Sequence, residues 1–322
     1  MIIKKICILG GTGFVGKTLA NRLTKDGYQL RILTRDRERG RDDLILLPTV
    51  ELIETDIQNQ QQLNEHLAGC EAVINLVGIL NEKGRDGTGF RRAHVELTDK
   101  VIQACNANAI GRLLHMSALN ADAVKGPSHY LRTKGEAEDK AHQAEGIRVT
   151  SYRPSVIFGS RDSFFNRFAA LLKISPWIFP LPCAATRFAP VFVEDVAEAM
   201  AITLLDPGSY GSRFTLVGPS DYTLQQLVEY TAQCMGIRRT IIPMPAPLAR
   251  LQAAIFDFIP GKPFSTDNYL SATVDSISDE NDLLSLGIHP TPVEAILPQY
   301  LGKRFQRAYY DDYRRSIGRR QN

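Results

Sequence analysis

Tyr130 and Lys134 stand four residues apart in the segment Tyr130-Leu-Arg-Thr-Lys134. On a helix that spacing puts a phenol and an ammonium on one face. A lysine cation close by favours the phenolate and lowers the tyrosine pKa from about 10. A phenol tuned in this way exchanges a proton with a carbonyl or hydroxyl oxygen near neutral pH. Ser117, thirteen residues earlier, is a candidate to hydrogen-bond the same oxygen, and an ordinary strand-end serine is the alternative.

A second constellation lies at the N-terminus, where Gly10, Gly13 and Gly16 are set in GGTGFVG. In a strand-to-helix turn the three glycines allow a tight turn, close approach of backbone to a pyrophosphate, and close packing of helix on strand. The helix N-terminus presents free N–H groups and a favourable dipole to the phosphates. Thr12, Phe14 and Val15 share the turn and are expected to line it. The alternative is a structural turn that binds nothing. About twenty residues on, an acid would bind the adenosine ribose of NAD, whereas arginine would pair with the 2′-phosphate of NADP. Here Thr34 is followed by Arg35, Asp36 and Arg37, with Arg39 close behind. Arg35 as the phosphate contact favours NADP over NAD, and Asp36 keeps NAD as the alternative. Asp56 and Ile57, after the third strand, are expected at the adenine. Leu76, Val77 and Gly78, ending the fourth, are expected under the cofactor.

These residues need elements to hold them. Apolar runs at 2–9, 28–34, 50–55, 72–77, 112–116 and 147–152 read as strands, and 58–68, 89–109 and 129–145 read as helices. Alternation of this kind implies right-handed βαβ crossovers and a parallel sheet. The expected fold is α/β, a doubly wound parallel sheet of the Rossmann type over 1–160, with a smaller C-terminal α/β lobe over 161–302. Residues 187–205 are expected to return to the first domain, with Arg187–Val193 as a late strand. Phe164, Phe165, Phe168 and Leu171 form an apolar helical face expected in the core. Trp177 is a lid over the pocket or a loop anchor. The proline-started apolar helix 246–258 lines the pocket or meets a membrane surface.

Composition narrows the class. The chain has 322 residues, 44% hydrophobic and 23% charged, which suits a globular protein with a sizeable core. A net charge of +3 gives no support for a nucleic-acid partner. Five scattered cysteines without a CxxC pair, and histidines without HExxH, predict neither disulfides nor a metal site. No apolar run is long enough to span a membrane, so a cytoplasmic location is expected. Residues 303–322 hold seven Lys/Arg against two Asp/Glu. This basic tail, with the C-terminal lobe, could meet a protein partner or the inner face of a membrane.

The glycine turn with YxxxK resembles the short-chain dehydrogenase/reductase superfamily in its extended form. HMSALNADAVKGPSHYLRTKGEAED, RPSVIFG and FAPVFVEDVAEAM narrow this to an atypical branch. That branch holds the nucleotide-binding accessory subunit of respiratory complex I and its bacterial relatives. The resemblance implies a bound NADP(H) and the roles given above for Gly10, Gly13, Gly16, Tyr130 and Lys134. It also implies that Pro154 packs near the nicotinamide. Two features depart from active extended members: the interval from Ser117 to Tyr130 is short, and His94 stands where asparagine is usual. The expected activity is that of an oxidoreductase or epimerase on a small hydroxyl or carbonyl compound whose identity is open. The alternative is a non-catalytic, nucleotide-holding assembly protein.

Overall fold

The structure is a computed structural model that describes residues 3–302. Five βα units and a sixth strand come first. They are β1 (Lys5–Leu9), α1 (Phe14–Lys25), β2 (Gln29–Thr34), α2 (Arg37–Leu44), β3 (Val50–Glu54), α3 (Gln60–Leu67), β4 (Ala72–Asn75), α4 (Thr88–Arg91), α5 (Leu97–Ala107), β5 (Arg112–Met116), α6 (His129–His142) and β6 (Arg148–Pro154). A π-helical turn, Arg92–Glu96, joins α4 to α5. Then follow β7 (Ile157–Phe158), α7 (Phe165–Ile174), β8 (Ile178–Leu181), β9 (Arg187–Phe188), β10 (Val191–Phe192), α8 (Val193–Thr203) and β11 (Arg213–Leu216). The last elements are β12 (Tyr222–Thr223), α9 (Leu224–Cys234), β13 (Thr240–Pro243), α10 (Ala246–Phe256), α11 (Thr266–Ser271), α12 (Asp282–Ser285) and α13 (Val293–Leu301).

The central sheet has seven strands in the order β11-β6-β5-β4-β1-β2-β3, all parallel. β1 shows why its sequence is apolar without alternation. Ile6 and Ile8 point into one core, with Leu19 and Leu23 of α1 and Met200 of α8. Cys7 and Leu9 point into the other, with Leu63 of α3 and Val101 of α5. A parallel sheet covered by helices on both faces buries every position of its inner strands.

Arg187–Val193 does not form a strand of this sheet. It is split into β9, antiparallel to β12, and β10, parallel to β7. Pro190 separates the two, and their side chains diverge: Phe188 joins the C-terminal core, while Val191 joins the core of the main sheet. α8 then packs on α1, and β11 adds the seventh strand beside β6. Arg112 anchors that edge. Its guanidinium is fully buried and donates to the carbonyls of Thr203, Leu204 and Arg148 and to the hydroxyls of Thr150 and Ser209.

A separate core holds Phe165 and Leu172 of α7, Leu227 and Val228 of α9, and Leu297 of α13. Phe164 and Phe168 pack against it. The basic tail, 303–322, lies outside the described residues.

Candidate active site

The turn from β1 into α1 admits only glycine at two positions. Gly10 has φ +78°, and a Cβ there would lie 3.1 Å from the Leu76 carbonyl carbon. A Cβ on Gly16 would lie 2.5 Å from both the Gly10 carbonyl oxygen and Gly11 Cα. The Gly13 N–H donates to the Gly10 carbonyl at 3.0 Å and closes the turn. α1 then begins with no side chain capping it and no acid in its first turn. Its first N–H groups have no acceptor within the helix, and its dipole favours an anion there. The cradle therefore fits a pyrophosphate. Thr12 packs under Gly40, Phe14 lies against Gly159, and Val15 packs on the sheet core.

At the end of β2 the Thr34 hydroxyl is buried and donates to the Asp36 carbonyl at 3.0 Å. Arg35 is exposed and makes no ion pair among the described residues. Past β3, one Asp56 carboxylate oxygen accepts the Gln58 N–H at 2.9 Å, and Ile57 packs on the core. The Val77 N–H donates to Asn75 Oδ1, and Leu76 packs on the opposite core. Pro154 is buried at the end of β6, where its carbonyl accepts the Leu119 N–H at 2.9 Å.

α6 brings Tyr130 and Lys134 over the carboxyl ends of β4 and β5. The Lys134 ammonium donates to the Met116 carbonyl at 2.9 Å and the Val77 carbonyl at 3.2 Å. Its Nζ also lies 3.1 Å from where a Cβ on Gly78 would stand, so a side chain there would crowd the ammonium. Two of its three protons are thus spent on the chain, and the third is available to a ligand. Burial pulls Lys134 down to about 8 against a smaller opposite pull from Glu138. Tyr130 packs edge-on to His94 and Phe90. Its pKa is pushed up to about 12, first by burial and then by the Asp267 carboxylate. This is opposite to the lowering expected from Lys134, because desolvation of the phenolate and the Asp267 charge decide the shift.

His94 and Ser117 are both spoken for. The Ile79 N–H donates to His94 Nε2 at 3.2 Å, which assigns the ring proton to Nδ1, 2.9 Å from the Thr133 hydroxyl. Burial first, and then Lys134, pulls His94 down to about 2, so it stays neutral. The Ser117 hydroxyl is buried and donates to Glu138 at 2.8 Å. The strand end turns it toward that carboxylate. Trp177 is 82% exposed and lines a separate shallow cleft with Glu229, Arg238 and Arg239. It covers none of the residues above.

The model of the NAD dependent epimerase/dehydratase family matches residues 6–214, from β1 through β11. The chain belongs to that family. Relatives of this epimerase/dehydratase-family protein include the mouse mitochondrial NADH dehydrogenase [ubiquinone] 1 alpha subcomplex subunit 9. The two are 31% identical over 302 residues, covering 89% of this chain and 77% of the relative. Ceramide reductase of Caulobacter vibrioides is 27% identical over 261 residues, 78% of this chain and 77% of the relative. The solved structure of MoeE5 in complex with UDP-glucose and NAD shares the fold, with a TM-score of 0.69. It is 18% identical and covers 91% of this chain and 96% of that one. No helix among the described residues is long and apolar enough to cross a membrane, and no cluster of His, Cys, Asp and Glu there could hold a metal ion.

Two residues that set this site went unnoticed in the sequence. Glu138, fully buried, accepts from Ser117, from Ser151 and from Arg153 at 2.9 Å. Its signal was the spacing 130, 134, 138, which continues one face of α6. Asp267 reaches across from α11 and accepts the His129 N–H at 2.7 Å and the Tyr130 N–H at 3.2 Å. It thereby caps α6 beside the phenol, and no local pattern announces it.

Proposed function

We propose that this protein binds NADP(H) and reduces a carbonyl compound, with Tyr130 as the proton donor. The observation that carries the reading is Lys134, a buried cation with one uncommitted proton at the carboxyl ends of β4 and β5. In this reading residues 1–160 hold the nucleotide, and 161–302 form the substrate or partner lobe. Gly10, Thr12, Gly13, Phe14, Val15 and Gly16 surround the pyrophosphate. Thr34 and Arg35 take the 2′-phosphate, Asp56 and Ile57 the adenine, and Leu76, Val77, Gly78 and Pro154 the nicotinamide end.

The bound dinucleotide supplies or accepts hydride. The chain handles the proton. A phenol at about 12 rests protonated at neutral pH, so the proton that reduction consumes is already in place on Tyr130. Tyr130 gives its proton to the substrate oxygen as that oxygen gains charge. Lys134 hydrogen-bonds a ribose hydroxyl with its third proton and offsets the charge left on the phenolate. Neither Ser117 nor His94 is assigned a step.

NADPH and NADH titrations followed by nucleotide fluorescence test the cofactor assignment. NADPH should bind at least about tenfold tighter, as a lost charge-assisted pair implies, and Arg35→Ala should erase the difference. Equal or tighter NADH binding overturns it. For the chemistry, Tyr130→Phe should abolish carbonyl reduction and leave NADPH affinity within about twofold. Unchanged turnover removes Tyr130 from the reaction.

A second reading is favoured by the commitment of Ser117 and His94. A site whose supporting polar groups are consumed by the fold can hold nucleotide without turning it over. The mouse relative is a subunit of a larger complex, and this chain would then stabilise a partner. Retention of nucleotide through hours of dialysis, with no reduction of any carbonyl tested, would favour it over the first.

A further inference from the structure

α10 is packed inside out. Its small residues Ala249 and Ala253 face the fold, against Tyr269 of α11. Its large ones face solvent: Leu248, Leu251 and Ile255 are each more than half exposed, and Phe258, just past the helix, is 72% exposed. Their spacing of three and four residues sets them in one stripe. Ile242, Pro243, Pro245, Pro247, Ile259 and Pro260 extend it at both ends and are exposed too. Between 241 and 261 Arg250 is the only exposed side chain that can hydrogen-bond. A soluble helix ordinarily turns such a face inward.

The surroundings are cationic. The Arg85 guanidinium sits 4.3 Å above the Phe258 ring. Lys262 donates to the Gly84 carbonyl at 2.5 Å, Lys83 is exposed beside it, and Arg250 projects from α10 itself. Two acids stand among them, Asp257, which accepts from Thr266, and Asp86, which accepts from Thr88, so the cations outnumber the acids of this surface four to two. Leu80 extends the apolar surface onto the loop after β4, where Asn268 of α11 holds its carbonyl at 2.9 Å.

We propose that this ridge docks on an anionic lipid bilayer. A large exposed apolar patch marks a contact surface. Specific protein interfaces carry a hydrogen bond every 100–200 Å² or so, and this stripe has almost no groups to make them. A second copy across a two-fold axis would bring a second set of the same cations to the contact, with only Asp86 and Asp257 to pair with them. A bilayer with anionic headgroups takes both features at once: acyl chains receive the aliphatic stripe, and headgroups pair with the cations. The proposal does not depend on the nucleotide chemistry. Docked in this way, the loop after β4 and the α11 cap of α6 lie near the headgroups.

The test is sedimentation of the full chain with vesicles of phosphatidylcholine alone and of phosphatidylcholine mixed with phosphatidylglycerol. The chain should bind the mixed vesicles more tightly. Leu251→Glu with Ile255→Glu should weaken that binding at least about tenfold while melting temperature and NADPH affinity stay unchanged. Arg85→Glu with Arg250→Glu should remove the preference for the anionic vesicles. Three outcomes overturn the proposal. The chain fails to sediment with the mixed vesicles. The Leu251/Ile255 variant binds as well as the parent, which puts the contact elsewhere, such as in 303–322. Or the parent proves to be a dimer that this variant dissociates, which makes the ridge an interface between copies.

Discussion

Lys134→Met, in nucleotide-stripped protein, should flatten the rise of stability with pH above neutrality. The lysine is 3% exposed, and burial lowers it from 10.5 to about 8. A cation whose folded pKa is depressed weighs against the fold at low pH. Between the two pKa values the unfolded chain binds more protons than the folded one, so stability rises with pH. At 1.36 kcal/mol per pKa unit, burying Lys134 costs about 3 kcal/mol at pH 7, where it stays charged, and about 1 kcal/mol at pH 10, where the folded chain has released its proton. The parent should thus gain about 2–3 kcal/mol relative to the variant from pH 7 to pH 10. The variant also leaves the Val77 and Met116 carbonyls without their donor, which costs about 1–3 kcal/mol at every pH. That penalty displaces the variant's curve and does not tilt it. Urea melts at half-unit pH steps give both curves, and their difference cancels the other titrating groups. Parallel curves would refute the buried-cation reading.

Other perturbations separate the parts of the site. Gly16→Ala gains about 1 kcal/mol of helix propensity but places a Cβ against fixed backbone, an overpacking cost of about 1–3 kcal/mol. It should lower the melting temperature and weaken NADPH binding at least about tenfold, as read by calorimetry. Glu138→Ala removes the acceptor of Ser117, Ser151 and Arg153. It should cost about 3 kcal/mol in a denaturant melt, at the low end for a broken buried pair because Arg153 reaches water. Asp267→Ala removes the acceptor of the first two N–H groups of α6 and leaves the Ser128 cap in place; it should cost about 1–2 kcal/mol and raise amide exchange at His129 and Tyr130. It also removes one cause of the raised Tyr130 pKa, so any activity limited by phenolate should shift to lower pH.

The first half of the fold was readable because local pattern decides it. Continuous apolar strands ending in glycine, with helical stretches between, admit few arrangements other than a covered parallel sheet. The glycine turn was readable for the same reason, since its constraint acts between neighbours such as Gly10 and Gly16. Long-range demand was not readable. Arg187–Val193 reads as one strand, but Pro190 breaks it and two different cores compete for its side chains. β11 went unseen because Arg-Phe-Thr-Leu, at a sheet edge with one buried residue, has hardly any pattern. Ser117 sat where a site residue should sit, but Glu138 was invisible as its partner until β5, β6 and α6 came together. The direction of the Tyr130 shift depended on burial and on Asp267, more than a hundred residues away in the chain.

That last contact limits how the two halves of the molecule can be exchanged. Asp267 belongs to a helix of the C-terminal half, yet it completes the hydrogen bonding of His129 and Tyr130 in the N-terminal half. Ser271 likewise meets Ser128, and Asn120 donates to the Asp275 carbonyl. A chimera that grafts a foreign C-terminal half onto residues 1–216 would leave those amides bare unless the donor brought an acid to the same place. Transplants meant to change the substrate should therefore carry the segment 265–276 with the host, and the graft junctions should fall on either side of it.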